Sequence, residues 1–340
     1  MAKNTLLAIV KSTPIPAAGV ALGVVSLGSL HGALFPVVQA ACAAMALVLA
    51  ILVIAKIALF PNLFKSDMNS PVVAGTFATL FMCAMQLASY ASPFLGLGAF
   101  AVWAVAVSCH ALLICWFTWR FVRGFKLQNV FTSWFVAYVG IIVAALTSPA
   151  FGLEALGFSI FCFGFACYLI LLAVVTARHV HHRLPEAAAP TFCIYAAPMS
   201  LSLAGYLAVA DEPNVLFVIA LTVFAQCFLA VVVAQLPRLL RLPFYPSYAA
   251  MTFPFVICAT ALGKALACLT DAGWAVPHAL FFLAGIEAAL ATAMVCYVLA
   301  RYVHHIVHTA HAERRLLTVA QADANTATSP ACGFGEHAVH

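Results

Sequence analysis

Charge is what this chain has least of. Only 7% of its 340 residues are Asp, Glu, Lys or Arg, against about 25% in a typical soluble domain. That scarcity excludes a water-exposed globule and leaves no basic surface for nucleic acid. Paired cysteines are also lacking. The twelve cysteines stand singly in apolar runs without a Cys-x-x-Cys pair, so they read as small buried apolar residues and supply neither a disulfide framework nor a metal centre. There is no phosphate-binding glycine loop, no His-Glu-x-x-His motif and no serine-nucleophile motif. An enzyme is disfavoured, and no catalytic residue, metal or cofactor is expected.

What is present is hydrophobic sequence, 66% of the residues. Windows of about 20 apolar residues mark ten spans: 14–34, 37–60, 71–91, 94–119, 133–147, 154–177, 191–210, 214–236, 247–269 and 274–303. The expected fold is therefore an all-α membrane protein. Positive residues stay with cytoplasmic loops. They follow the even spans as Lys65, as Arg120, Arg123 and Lys126, as Arg178 and Arg183, as Arg238 and Arg241, and as Arg301, Arg314 and Arg315. The opposite loops carry Glu154, Asp211, Glu212 and Asp271. Both termini are thus expected in the cytoplasm. Residues 1–12 read as a cytosolic or interfacial lead-in, because the apolar run from Leu6 is too short for a signal peptide. Residues 13–305 form the membrane domain, and 306–340, polar and without apolar periodicity, read as a disordered cytosolic tail.

The segments repeat at about 50 to 60 residues, which suggests five helical hairpins. The odd member of each hairpin concentrates small, kinking and hydroxyl residues: Pro16, Gly19 and Gly23; Thr76; Tyr138; Tyr195 and Pro198; Thr252 and Pro254. The even members are richer in Leu, Val and Phe. Polar, bent helices inside and apolar helices outside suit a bundle around an aqueous path. Gly19 and Gly23 have a second reading, as small residues that let helices pack closely. In the ninth span Phe253 directly precedes Pro254, whose missing N–H would leave the carbonyl of Ala250 unpaired and bend the helix. A bend of this kind belongs inside a bundle, where another helix or a watery cavity supplies the missing bond.

Among the ionisable residues, Lys264, Glu287 and His110 are the candidates for groups inside the membrane. Lys264 could snorkel to water, pair with Glu287, or add positive potential at an outer vestibule. His110 reads as a packing histidine and His304, His308 and His311 as a weakly basic flank, with metal binding the other reading of that trio. One lysine is a poor clamp for a dianion, since a carrier would need two or more fixed cations. Helix-dipole ends, hydroxyls and backbone N–H groups suit weakly held, partly dehydrated anions better.

The ten-span pattern, Thr252-Phe253-Pro254 with Lys264 downstream, residues 133–142 (SWFVAYVGII), residues 189–198 (APTFCIYAAP) and Pro14-Ile-Pro16-Ala-Ala-Gly19 resemble the tellurite-resistance/dicarboxylate transporter family. That family contains bacterial TehA and the plant guard-cell slow-type anion channels. The resemblance extends over about residues 14–305. It implies a homotrimer with one pore per subunit, in quasi-fivefold arrangement, the odd helices lining the pore and the even helices outside. It also implies that Phe253 projects across the pore and occludes it, with Pro254 fixing the ring's direction. The expected function is passive permeation of small monovalent anions through a bacterial cytoplasmic membrane. The alternative is a proton-coupled carrier or exporter of dicarboxylate, sulfite or a related oxyanion, with Glu287 or His110 relaying protons.

Overall fold

The computed structural model describes residues 2–327, with side chains over 5–312, and the described residues are helical or connecting throughout. The helices are α1 (Ala2–Ser12), α2 (Ala17–His31), α3 (Pro36–Leu59), α4 (Pro61–Asp67), α5 (Pro71–Thr76), α6 (Ala78–Leu95), α7 (Leu97–Phe117), α8 (Ser133–Val139), α9 (Ile142–Thr147), α10 (Glu154–His181), α11 (Ala197–Val209), α12 (Val215–Leu239), α13 (Phe253–Asp271) and α14 (His278–Ala327). Two 3₁₀ segments, Glu186–Ala196 and Pro246–Met251, lead into α11 and α13.

Eight of these helical stretches are long and apolar enough to cross a membrane, and ten are reached if each of two bent pairs counts as one span. The bent pairs fall on the first and fifth expected spans. In the first, α1 meets α2 at 89°. The 15 residues of α2 rise only about 22 Å, short of a hydrocarbon core of about 30 Å. In the fifth, α8 and the stretch beginning with α9 are bent by 48°. The break falls at Gly140, where an added Cβ would lie 2.8 Å from Met82 Sδ and 3.3 Å from His110. Glycine is required there because the chain's own Val136 carbonyl and the neighbouring Met82 occupy the space of a side chain.

Apolar sequence is common to all the long helices, but burial divides them. Of the most apolar 18 residues, 61% are buried in Pro71–Leu95, 83% in Glu186–Val209 and 72% in Pro246–Asp271, against 22–33% in α3, α7, α10, α12 and α14. Helix α2 belongs with the first group, since its residues from Ala17 to Gly28 are all buried. The buried elements touch in a closed cycle: α2 against α6, α6 against α9, α9 against α11, α11 against α13, and α13 back against α2. The exposed helices pack behind them. Each contacts the buried helix before it in sequence and the next buried element around the cycle, as α3 does with α2 and α6, and α14 with α13 and α2. Their outward faces carry Val37 and Ile51, Val105 and Leu112, Phe163 and Ile170, Val223 and Phe224, Phe282 and Ile286. Such a surface is stable in lipid and not in water.

Helix α14 is described to Ala327, and the tail was expected to begin at residue 306. Residues 328–340 lie outside the described part of the chain.

Candidate functional site

The ninth span is interrupted rather than kinked. The 3₁₀ turn ends at Met251, Thr252 adopts φ −108°, ψ −85°, and α13 starts at Phe253 with Pro254 in its first turn. Proline is tolerated there because that N–H has no intrahelical partner to lose. The mid-helix bend expected from Pro254 is thus a helix start. The other two prolines fall alike: Pro198 is in the first turn of α11, and Pro16 caps α2. In each case a buried α-helix begins inside the bundle, α11 and α13 after a 3₁₀ segment.

The break is seated against α2. A Cβ on Gly23 would lie 2.6 Å from Thr252 Oγ1 and 3.1 Å from the Phe253 nitrogen, and one on Gly19 would lie 3.2 Å from Ala249 Cβ. The Thr252 hydroxyl is 3.1 Å from the Gly19 carbonyl and 2.7 Å from that of Ala249, so it can donate to either. The contacts favour the packing reading of Gly19 and Gly23, with the consequence that α2 fixes where the Phe253 backbone lies. The Phe253 side chain is buried, 7% exposed.

Beside this break is a cavity of about 500 Å³. All five buried segments contribute to its wall, through residues such as Pro16, Thr76, Phe131, Thr191, Pro246 and Ala249. The wall residues follow shortly in sequence after Lys65, Lys126, Arg183 and Arg241, so the cavity opens at the cation-rich end of the bundle. Thr76 is therefore at its wall, its hydroxyl donating to the Val72 carbonyl at 3.0 Å.

The two tyrosines lie elsewhere. The Tyr138 hydroxyl pairs with that of Thr118 at 2.7 Å, next to the end of α7, and its ring meets Phe117. The Tyr195 hydroxyl is 3.1 Å from His179 Nδ1 of α10, and its ring meets Phe135. Both join inner to outer helices. His110 does likewise: it is fully buried, with Nε2 3.0 Å from the Ala137 carbonyl.

Lys264 and Glu287 do not form an ion pair; among the described residues the pair found is Lys56–Asp67, at 3.8 Å. Lys264 is exposed on α13, whereas Glu287 is 5% exposed on α14 with Gln226 of α12 beside it. Sequence reasoning missed two buried cations, passing over Lys56 inside the second span and assigning Arg178 to a loop. Lys56 donates to the Thr13 carbonyl at 2.8 Å and ties α3 to the entry of α2. Arg178, expected in a loop, is 2% exposed in the last turns of α10. Its guanidinium lies 4.6 Å from the centre of the Phe131 ring, itself part of the cavity wall. The sequence carried no signal that set Arg178 apart from a loop cation; the structure does, since α10 runs 28 residues and keeps Arg178 within the helix.

Residues 15–309 match the sequence profile of the SLAC1 family, described as voltage-dependent anion channel. The chain belongs to that family. The match covers the region over which the residues resemble the tellurite-resistance/dicarboxylate transporters, and it bears that resemblance out. No curated protein matches the chain. SLAC1-family membership, with the apolar helices, makes this a multi-pass membrane protein of a channel or transporter family that handles small anions.

Proposed function

We propose that the protein is a passive channel for small monovalent anions, with the path running along the axis of the inner helix cycle and the Phe253 ring closing it. The observation that carries this reading is the burial of Phe253 at a helix start inside that cycle, three residues beyond Ala250 of the cavity wall. Anions would gather in the cavity, helped by the charge of Arg178 behind Phe131. They would meet hydroxyls and helix starts rather than a fixed cationic clamp. Pro254, Pro198 and Pro16 would set the helix starts, Thr252 with Gly19 and Gly23 would hold the closing residue in register, and Thr76 would line the path. Lys264, exposed near the opposite end of α13, would add positive potential at the outer mouth. The protein would work as a homotrimer in a bacterial cytoplasmic membrane, each subunit carrying its own path and both termini on the cytoplasmic side.

The decisive experiment is anion flux through purified protein in liposomes, comparing wild type with Phe253→Ala across chloride, nitrate and a dicarboxylate. The expected result is a rise of roughly tenfold or more for the monovalent anions, as loss of about 1.4 kcal/mol from a barrier would give. A silent variant, or wild type moving dicarboxylate together with protons, sinks the reading. Buried Glu287 favours the second possibility, a proton-coupled carrier, because a carboxyl group kept from water is a natural proton relay.

A further inference from the structure

The family match and the proposed path leave unused a recess of about 410 Å³ near the cation-rich end of α14, lined by Phe244, Arg301, His304, His305 and His308. The guanidinium of Arg301 lies 5.9, 5.7 and 5.8 Å from the ring centres of Phe244, Tyr248 and Tyr297. Contact with ring faces does not use up the five N–H donors of a guanidinium, so they can serve an anion. Among the described residues no carboxylate forms an ion pair with it. The His305 ring is 4.8 Å from that of Phe244, and His304 stacks with His308 at 6.0 Å. No three His, Cys, Asp or Glu side chains converge as a metal site among the described residues. The recess therefore offers one planar cation and several imidazole nitrogens to an acceptor-rich anion.

Its surroundings identify the source of that anion. Val303 and Val307, on the same turns of α14, are 49% and 46% exposed, an apolar flank suited to the edge of the hydrocarbon, beside which phosphate headgroups lie. We propose that the recess binds the phosphate of an anionic lipid headgroup, Arg301 supplying the charge and the fork and the histidines further hydrogen bonds. The same contacts tie this site to the chain leading to Phe253. Phe244 and Tyr248 are the rings around Arg301, and the Tyr302 hydroxyl donates to the Pro246 carbonyl, which belongs to the cavity wall. A bound headgroup would thus clamp residues 244–252. The proposal requires only that the chain span a bilayer, and it stands or falls apart from Phe253 as the closing residue.

The test uses the full chain in nanodiscs of phosphatidylcholine alone or with phosphatidylglycerol. It reads hydrogen exchange of residues 244–252, together with lipid retained in native mass spectrometry. Phosphatidylglycerol is expected to slow exchange in this segment and to remain bound to wild type. Arg301→Gln with His304→Gln should weaken retention about fivefold or more, Arg301→Lys should restore part of it, and Arg123→Gln with Lys126→Gln, at another cation-rich connection, should leave it unchanged. Equal retention by the Arg301 variant, or an equal loss from the Arg123 control, overturns the site. Protection by inorganic phosphate in phosphatidylcholine alone, without a further effect of phosphatidylglycerol, overturns the lipid as source and leaves a soluble phosphate.

Discussion

At the scale of single residues, an anion path is governed by where bulk and charge stand, and here they stand apart. Phe253 supplies bulk at the helix start, while Arg178 supplies charge behind the Phe131 face of the cavity wall. A cation taken from water without a carboxylate partner is costly. Under the proposed reading the fold carries that cost because the cation adds positive potential to the cavity, which favours anions there. Arg178→Gln is accordingly expected to lower chloride flux in a Phe253→Ala background by about tenfold at low salt, and the difference should shrink as ionic strength rises. Equal flux in both proteins at low salt would remove Arg178 from the path. Phe253 drew notice in the sequence because a bulky ring before a proline in mid-span is conspicuous, and its closing role was implied by the family resemblance. Arg178 did not, because a positive residue near a span end looks like any loop cation until the helix is seen to enclose it.

At the scale of elements, the break at Thr252 rests on the fit between two backbones more than on proline chemistry. Pro254 lies in a first turn, where its missing N–H costs nothing, so Pro254→Ala is expected to change stability by less than about 1 kcal/mol. Gly23→Ala should cost more, roughly 1–3 kcal/mol, because its methyl group would occupy the space of the Thr252 side chain. Thr252→Val removes the hydroxyl that reaches the carbonyls of Gly19 and Ala249 and should cost about 1 kcal/mol. Thermal unfolding of the three variants in detergent checks the order, and Pro254→Ala as the most damaging would refute it. The sequence marked the residues at this break but misjudged its form, since Phe-Pro reads equally as a kink and as a helix start. Which one forms depends on whether the preceding residues, here Pro246–Met251, wind as an α-helix or as a tighter 3₁₀ turn.

At the scale of the whole molecule, the channel and carrier readings differ in what Glu287 must do. A proton-coupled carrier needs it to titrate during each cycle, whereas a passive path through the inner helices does not involve a carboxyl on an outer one. Glu287→Gln is expected to leave the pH dependence of chloride flux unchanged within about twofold, as measured in liposomes with and without a proton gradient. Steep pH dependence that vanishes in this variant would transfer the function to the carrier. The proposed trimer makes a separate prediction. Detergent-solubilised protein should contain three copies per particle by native mass spectrometry, and a monomer with full flux would show that one subunit suffices.

Composition alone decided that this chain lies in a membrane, because 66% hydrophobic residues with 7% charge cannot be arranged as a water-exposed surface. The spacing of apolar windows located the long helices, and the small, hydroxyl and kinking residues marked the segments that burial later separated from the rest. What only the tertiary structure decided was partnership. It set Tyr138 and Tyr195 against outer helices, kept Lys264 from Glu287, enclosed Arg178, and closed the cycle by packing α13 against α2. Apolar period and composition report on a helix and its solvent. A contact between residues more than 200 positions apart, such as Thr252 with Gly19, depends on how all the intervening helices pack, and no local pattern encodes that.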